Sequence, residues 1–257
     1  MKILILGAGK MGSFFCDLLQ PNHEVAIFDT DTNKLRFTFG VQRFTSLAEI
    51  EQFKPELLIN AVTVKHTLSA FETVLPHIPH SCIISDIASV KTGLPDFYAN
   101  CGHRFVSTHP MFGPTFASLS NLANENAIII SEGDQFAQCF FRELYKGLGL
   151  NVVSYSFNEH DLTIAYSLSI PFASSLVFGS VMKHQEAPGT TFKRHLAIAR
   201  GLMSEDDYLL CEILFNPNTS HQIELISDQL QKLKQIVETR DYSKMKEFLN
   251  NVRSNIK

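Results

Sequence analysis

Nothing in this sequence reads as a membrane anchor. No apolar run approaches the roughly 20 residues a helix needs to cross a bilayer, so no span is expected. The apolar start Lys2–Leu6 is too short for a secretory leader and reads instead as a first strand. Strong charge of one sign is also missing: a formal net charge of −4 offers no basic face to nucleic acid or to an anionic membrane. The 5 cysteines (Cys16, Cys82, Cys101, Cys139, Cys211) are scattered, odd in number and without C-x-x-C spacing. That pattern excludes a disulfide framework and predicts reduced thiols in a cytoplasmic protein. No group of His, Cys and carboxylates has ligand spacing, so no metal is expected. Internal repeats and low-complexity segments are lacking too. At 257 residues the chain can form one large domain or two modest ones, with a real core in either case.

What the chain does have begins at once. The strand-like Lys2–Leu6 runs into Gly7-Ala8-Gly9-Lys10-Met11-Gly12, and the helical pattern Phe14, Phe15, Leu18, Leu19 follows. This is G-x-G-x-x-G between a strand and a helix, the context in which it binds a dinucleotide. Gly7 permits the tight turn, Gly9 lets backbone approach a pyrophosphate, and Gly12 lets helix and strand pack closely; Lys10 and Met11 open the helix whose amides face the phosphates. A second strand, Glu24–Phe28, ends in Asp29, about twenty residues on, where the fingerprint expects an acid for the ribose. Asp29 repels a 2′-phosphate and no arginine lies in residues 30–33, Lys34 being the nearest cation, so NAD is expected over NADP. Asp29 can also cap the turn into the next helix.

Strands and helices then alternate as a doubly wound sheet requires. Residues 46–53 read as a helix, 57–62 as a buried strand, 64–75 as a helix, 82–86 and 105–107 as strands, and 127–130 and 151–154 as strands around a helix at 135–147. Ligands in such sheets bind outside the carboxyl ends of the strands, which puts Gly7 to Gly12, Val62, Thr63, Ser89 and His109 on one rim. His109 stands in Ser107-Thr108-His109-Pro110-Met111-Phe112-Gly113-Pro114, read as a loop stiffened by two prolines and a glycine. A titratable imidazole held that rigidly reads as a site. Ser89 reads as its hydrogen-bond partner, or simply as a helix N-cap. Other histidines (His66, His77, His80, His103) read as surface or capping residues, and His160-Asp161 as the start of a long helix. After residue 157 only helical patterns remain, so the expectation is a Rossmann-type domain at 1–156 and a helical domain at 157–257 that buries apolar faces against a second subunit.

Three stretches carry a resemblance to a known family: the glycine fingerprint, Ser85-Asp86-Ile87-Ala88-Ser89-Val90-Lys91, and Thr108-His109-Pro110-Met111-Phe112-Gly113-Pro114. With weaker similarity at Glu159-His160-Asp161, Gly189-Thr190-Thr191-Phe192 and residues 209–217, the chain resembles the prephenate and arogenate dehydrogenases of tyrosine biosynthesis. The resemblance implies NAD-dependent oxidative decarboxylation of prephenate, a homodimer, His109 as acceptor of the substrate hydroxyl's proton, and Ser89 beside it. It implies no regulatory domain after the helices, and no feedback control within this chain. The chain departs from the commoner members, which carry histidines where it reads Ser167-Leu168-Ser169-Ile170-Pro171-Phe172 and an arginine where it has Ala197; in this it is similar to a variant branch. Prephenate is a dianion and calls for cations, for which Arg200, Arg194 and Lys91 are the candidates, with Lys193 behind them. Arogenate remains an alternative substrate. A small-acid reductase would need a lysine general acid early in the helical part, and none occurs between Phe157 and Lys183. A non-catalytic NAD-binding sensor stays open.

Overall fold

The computed structural model describes residues 1–112 and 122–256. Gly113 and Pro114, the end of the expected stiff loop, lie outside the described residues. Among the described residues, β1 (Lys2–Leu6), β2 (Glu24–Phe28), β3 (Gln42–Phe44), β4 (Leu57–Asn60), β5 (Ile83–Asp86), β6 (Phe105–Pro110), β7 (Asn126–Ile130) and β8 (Asn151–Tyr155) form one sheet in the order β3-β2-β1-β4-β5-β6-β7-β8. Strands β1 to β6 pair in parallel; β7 is antiparallel to β6, and β8 parallel to β7. The chain lays β2 and β3 to one side of β1 and then crosses to β4 on the other. That reversal makes the crevice between β1 and β4 the switch point where such sheets take ligands.

Helices cover both faces, so the inner strands are apolar throughout instead of alternating. Ile3 and Ile5 of β1 face one core with Phe15, Cys16 and Leu19 of α1 (Lys10–Leu19). Leu4 and Leu6 face the other, with Phe71 and Val74 of α4 (Thr67–Val74) and Leu94 and Tyr98 of α5 (Leu94–Asn100). The short α2 (Thr32–Leu35) and α3 (Leu47–Phe53) lie between these in the chain, and Ser46 and Glu49 close a capping box at the start of α3. Helix α6 (Gln135–Gly147) adds Phe141 and Tyr145 to the first core. Burial pushes the Cys16 and Cys82 thiols up to about 12, so both behave as core residues.

Two expectations are corrected. His109 lies within the sheet and not on a loop: β6 continues to Pro110 because β7 pairs Thr108, His109 and Pro110 with Ile129, Ile128 and Ala127. An antiparallel neighbour of this kind is invisible in a run of apolar residues. The expected lack of a long apolar run also fails. The helical run Phe157–Val181 is, among the described residues, long and apolar enough by length and composition to cross a membrane, and 17% of its most apolar stretch is buried.

That run comprises α7 (Phe157–Ile164), a π-turn at Ala165–Ser169 and α8 (Ile170–Val181); α9 (Thr190–Leu202), α10 (Asp207–Leu214), α11 (Thr219–Thr239) and α12 (Tyr242–Asn255) follow. The chain divides into two compact units, Met1–Leu162 with Met203–Glu212, and Thr163–Leu202 with Ile213–Lys257. The first unit thus runs past residue 157 and includes His160 and Asp161. In the second, Ser169 donates to the Ile213 carbonyl and meets the Thr219 hydroxyl at 2.8 Å, tying the π-turn to the start of α11.

The turn after β1 depends on glycine at two positions. Gly7 has φ +93, and a Cβ there would come within 3.0 Å of the Ala61 carbonyl oxygen on the neighbouring strand's exit. A Cβ on Gly12 collides with the Gly7 carbonyl oxygen. Gly12→Ala therefore has to spread helix from strand, and denaturant melts should show a loss of about 1–3 kcal/mol.

Candidate active site

The parallel register aligns the carboxyl ends of four strands. Leu6 pairs with Asn60, Asn60 with Asp86, and Asp86 with Ser107. Gly7, Ala61, Ile87 and Thr108 come next, so the glycine turn, the β4 exit, the β5 exit and His109 share one rim. β1 and β6 are three strand spacings apart, about 14 Å.

At the β1 end a cavity of about 300 Å³ is lined by Gly7, Gly9, Asp29, Lys34, Val62 and Thr63, among others. Asp29 accepts from the Ala8 amide through Oδ2 (2.7 Å) and from the Asp31 amide through Oδ1 (2.8 Å), so the carboxylate at the end of β2 holds the glycine turn. Asn60, buried at the end of β4, donates to the Thr67 carbonyl and accepts from the Val62 amide, which shapes the Val62-Thr63 exit. Helix α1 starts at Gly9 with no side-chain cap and no acid in its first turn, leaving its first amides for an outside acceptor. Lys10 and Met11 occupy that turn, Lys10 exposed and Met11 packed on the core. Gly9 supplies the decisive test of fit. It has φ −76, and a Cβ there would meet nothing within 4 Å, so the protein's own packing does not require glycine at this position. A ligand pressed against the backbone would. The residues present therefore fit a dinucleotide, with its pyrophosphate over Gly9 and its ribose at Asp29.

At the β6 end is a buried cluster that the sequence did not announce. His109, 5% exposed, places Nδ1 3.1 Å from Nε2 of His160, and His160 Nδ1 lies 3.2 Å from Asp161 Oδ1. Helix α7 delivers His160. Its first residue, Phe157, stacks on Tyr98 and on Phe105 at the start of β6, and one turn later His160 meets the end of the same strand. Next to the histidines, Lys91 and Asp86 form an ion pair (2.5 Å) with both side chains wholly buried. Lys91 also donates to the Thr108 carbonyl (2.8 Å), the group just before His109. Asp86 accepts from Tyr98 Oη (2.7 Å) and from the Ala88 amide (3.0 Å), so its lone pairs are well used. Thr108 donates to the Asp86 carbonyl, which leaves Tyr145 to donate to Thr108 (2.8 Å).

This surrounding sets the protonation of the ring. Burial, then His160 and the Lys91 ammonium, hold His109 well below the usual histidine range. Burial lowers His160 too, opposed by its hydrogen bond to Asp161. Burial also pushes Lys91 down, while Asp86 holds it up. At neutral pH His109 is a neutral imidazole able to accept a hydrogen bond.

The sequence-based candidates sort as follows. Gly7, Gly9, Asp29, Val62 and Thr63 meet at the cavity. Lys91 does not serve as a substrate cation: its ammonium has no exposed surface and is committed to Asp86 and Thr108. Ser89 is half-buried and caps no helix, because α5 begins at Leu94; the Nδ1 atom of His109 meets His160 and not Ser89. Arg194 and Arg200 lie exposed on α9, and neither has an ion-pair partner among the described residues. His160 and Asp161 were read as a helix start and as part of a weaker resemblance, without a role at the site. The available signal was His160 standing four residues before Ile164, the spacing of a buried helix face.

A family model, prephenate dehydrogenase nucleotide-binding domain, matches residues 20–139, which span β2 to β7 and include Asp29, Asp86, Lys91 and His109. Over that stretch the chain is similar to the nucleotide-binding domain of prephenate dehydrogenases. The prephenate dehydrogenase of Aquifex aeolicus, solved with hydroxyphenyl propionate and NAD+, has the same fold: TM-score 0.84, 21% identity, 99% of this chain and 96% of that one covered. The Synechocystis arogenate dehydrogenase gives a TM-score of 0.77 at 16% identity, over 99% of this chain and 98% of its own. A probable arogenate/prephenate dehydrogenase of Methanocaldococcus jannaschii is 22% identical over 93% of this chain, which spans 57% of that relative's length. The family's Rossmann-type domain followed by helices is the architecture found here.

Two outcomes follow from this geometry. Gly9→Ala should leave the melting temperature unchanged and weaken NAD binding, measured by calorimetric titration. Lys91→Met removes a cation that lowers His109 and should raise its pKa in an NMR titration, whereas Asp86→Asn, which breaks the same pair, should not raise it.

Proposed function

We propose that this protein is an NAD-dependent dehydrogenase that converts prephenate to 4-hydroxyphenylpyruvate with loss of carbon dioxide, arogenate being the alternative substrate. The observation that carries the reading is a neutral, buried His109 on the rim that also bears the glycine turn. In prephenate one ring carbon bears both hydrogen and hydroxyl, and the opposite carbon bears a carboxylate. Bound NAD supplies the hydride acceptor. The protein's part is to orient the ring and hold the hydroxyl proton: His109 accepts it while the carboxylate is lost and the ring becomes aromatic. Positioned proton transfer of this kind contributes roughly a hundred- to ten-thousand-fold.

Asp29 at the ribose end of the cavity supports NAD over NADP, since its carboxylate repels a 2′-phosphate. Arg200 and Arg194 are the cations we assign to the substrate carboxylates, and Ser89, whose hydroxyl has no hydrogen bond among the described residues, to the substrate hydroxyl. Residues 1–156 are assigned to the cofactor and 157–257 to the substrate and dimerisation. In support of a homodimer, α8 has no buried residue in the single chain, and Val177 and Val181 are 55% and 70% exposed. On this reading the apolar run Phe157–Val181 packs against a second copy in the cytoplasm and not into a membrane.

Reduction of NAD and of NADP, followed with prephenate and arogenate side by side, tests the assignment. Turnover with prephenate and NAD is expected. His109→Asn should lower kcat by on the order of a hundredfold or more. No turnover with either substrate, or wild-type turnover in the variant, overturns the reading.

A further inference from the structure

Burial that keeps His109 neutral creates a difficulty for a base. Accepting a proton leaves an imidazolium in a site that disfavours it, next to the Lys91 ammonium. The cluster contains an answer. We infer that His160 and Asp161 are positioning residues that fix the tautomer of His109 and take its proton onward, so that the positive charge of turnover rests on His160 beside Asp161. The inference rests on the proposed role of His109.

The hydrogen-bond chain determines the tautomers. A carboxylate only accepts, so the short contact between Asp161 Oδ1 and His160 Nδ1 requires the proton on that nitrogen. His160 Nε2 is then an acceptor, and its 3.1 Å contact requires the proton on His109 Nδ1. His109 Nε2 is left with a lone pair, the form needed to accept from a hydroxyl. Ser89 is not required for this, and a ring flip of either histidine would break the chain.

The same contacts carry the proton. As the substrate O–H bond breaks, oxygen keeps the electron pair and a new N–H bond forms at His109 Nε2. The His109 Nδ1–H bond breaks in turn, and its proton joins His160 Nε2. His109 ends neutral, and the cation is a His160 imidazolium hydrogen-bonded to the Asp161 carboxylate. The groups facing the pair are Lys91 and Asp86 from β5 and its exit, and Asp161 from α7. Lys91 disfavours charge on both rings, whereas Asp161 favours it on His160 alone. The chain resets once product leaves: water takes the proton from His109 Nε2, and His160 Nε2 returns its proton to His109 Nδ1, which restores both starting tautomers.

Nitrogen-15 NMR of the wild-type protein without substrate reads the tautomer directly. His109 is expected to carry its proton on Nδ1 at neutral pH, and Asp161→Asn to move it towards Nε2. Asp161→Asn should also lower kcat by on the order of a hundredfold with KM little changed, and Asp161→Glu should restore most of it. His160→Phe, which fills the space without a nitrogen, should lose kcat similarly; should it fail to fold, the partly exposed Asp161 position still decides the matter. A wild-type His109 protonated on Nε2, or an Asp161→Asn enzyme with undiminished kcat, overturns the inference. The tautomer measurement needs no substrate. Absence of turnover with prephenate and arogenate alongside an Nδ1-protonated His109 would therefore remove the substrate assignment and leave the tautomer assignment standing.

Discussion

The ion pair between Asp86 and Lys91 is the contact on which the site depends. Both side chains are wholly buried, and removing each charge from water costs several kcal/mol. The cost is offset because both groups are hydrogen-bonded inside the protein. Asp86 is satisfied by Lys91, Tyr98 and the Ala88 amide, and Lys91 by Asp86 and the Thr108 carbonyl. The pair ties the β5 exit to the last residues of β6, and it places a fixed positive charge next to the histidines. The pair thus acts on both geometry and protonation at His109, although burial is the larger influence on the second.

At the other end of the rim the constraint is steric. Gly7 and Gly12 are required by the protein's own backbone, while Gly9 is not. One glycine-rich turn therefore combines two demands: closure of strand onto helix, and an open face over the first amides of α1. Asp29 at the end of β2 holds the turn through the Ala8 amide. The turn is preorganised before any ligand arrives.

Much of this was legible in the residues. The apolar runs of β1, β4 and β5, the glycine spacing, Asp29 and the boundaries of α6 are all local patterns, and local patterns survive in sequence. Lys91 was misread because a lysine near a site looks like a ligand cation until its partner is known, and Asp86 looked like an ordinary strand end. His109 was placed on a loop because Pro110 suggested a break; β7, arriving from residues 126–130, extends the strand instead. His160 was passed over because a histidine in the first turn of a helix is usually a surface residue. Its partner lies 51 positions earlier in the chain.

By itself the sequence determined the Rossmann-type sheet, the glycine turn and the resemblance to prephenate and arogenate dehydrogenases, because each rests on residue types at fixed short spacings. Only the tertiary structure decided which charged groups are buried together, which nitrogen of His109 meets a partner, and that α7 supplies the second imidazole. Those are consequences of packing between strands and helices far apart in the chain, where burial sets both protonation and pairing, and no spacing along the sequence encodes them.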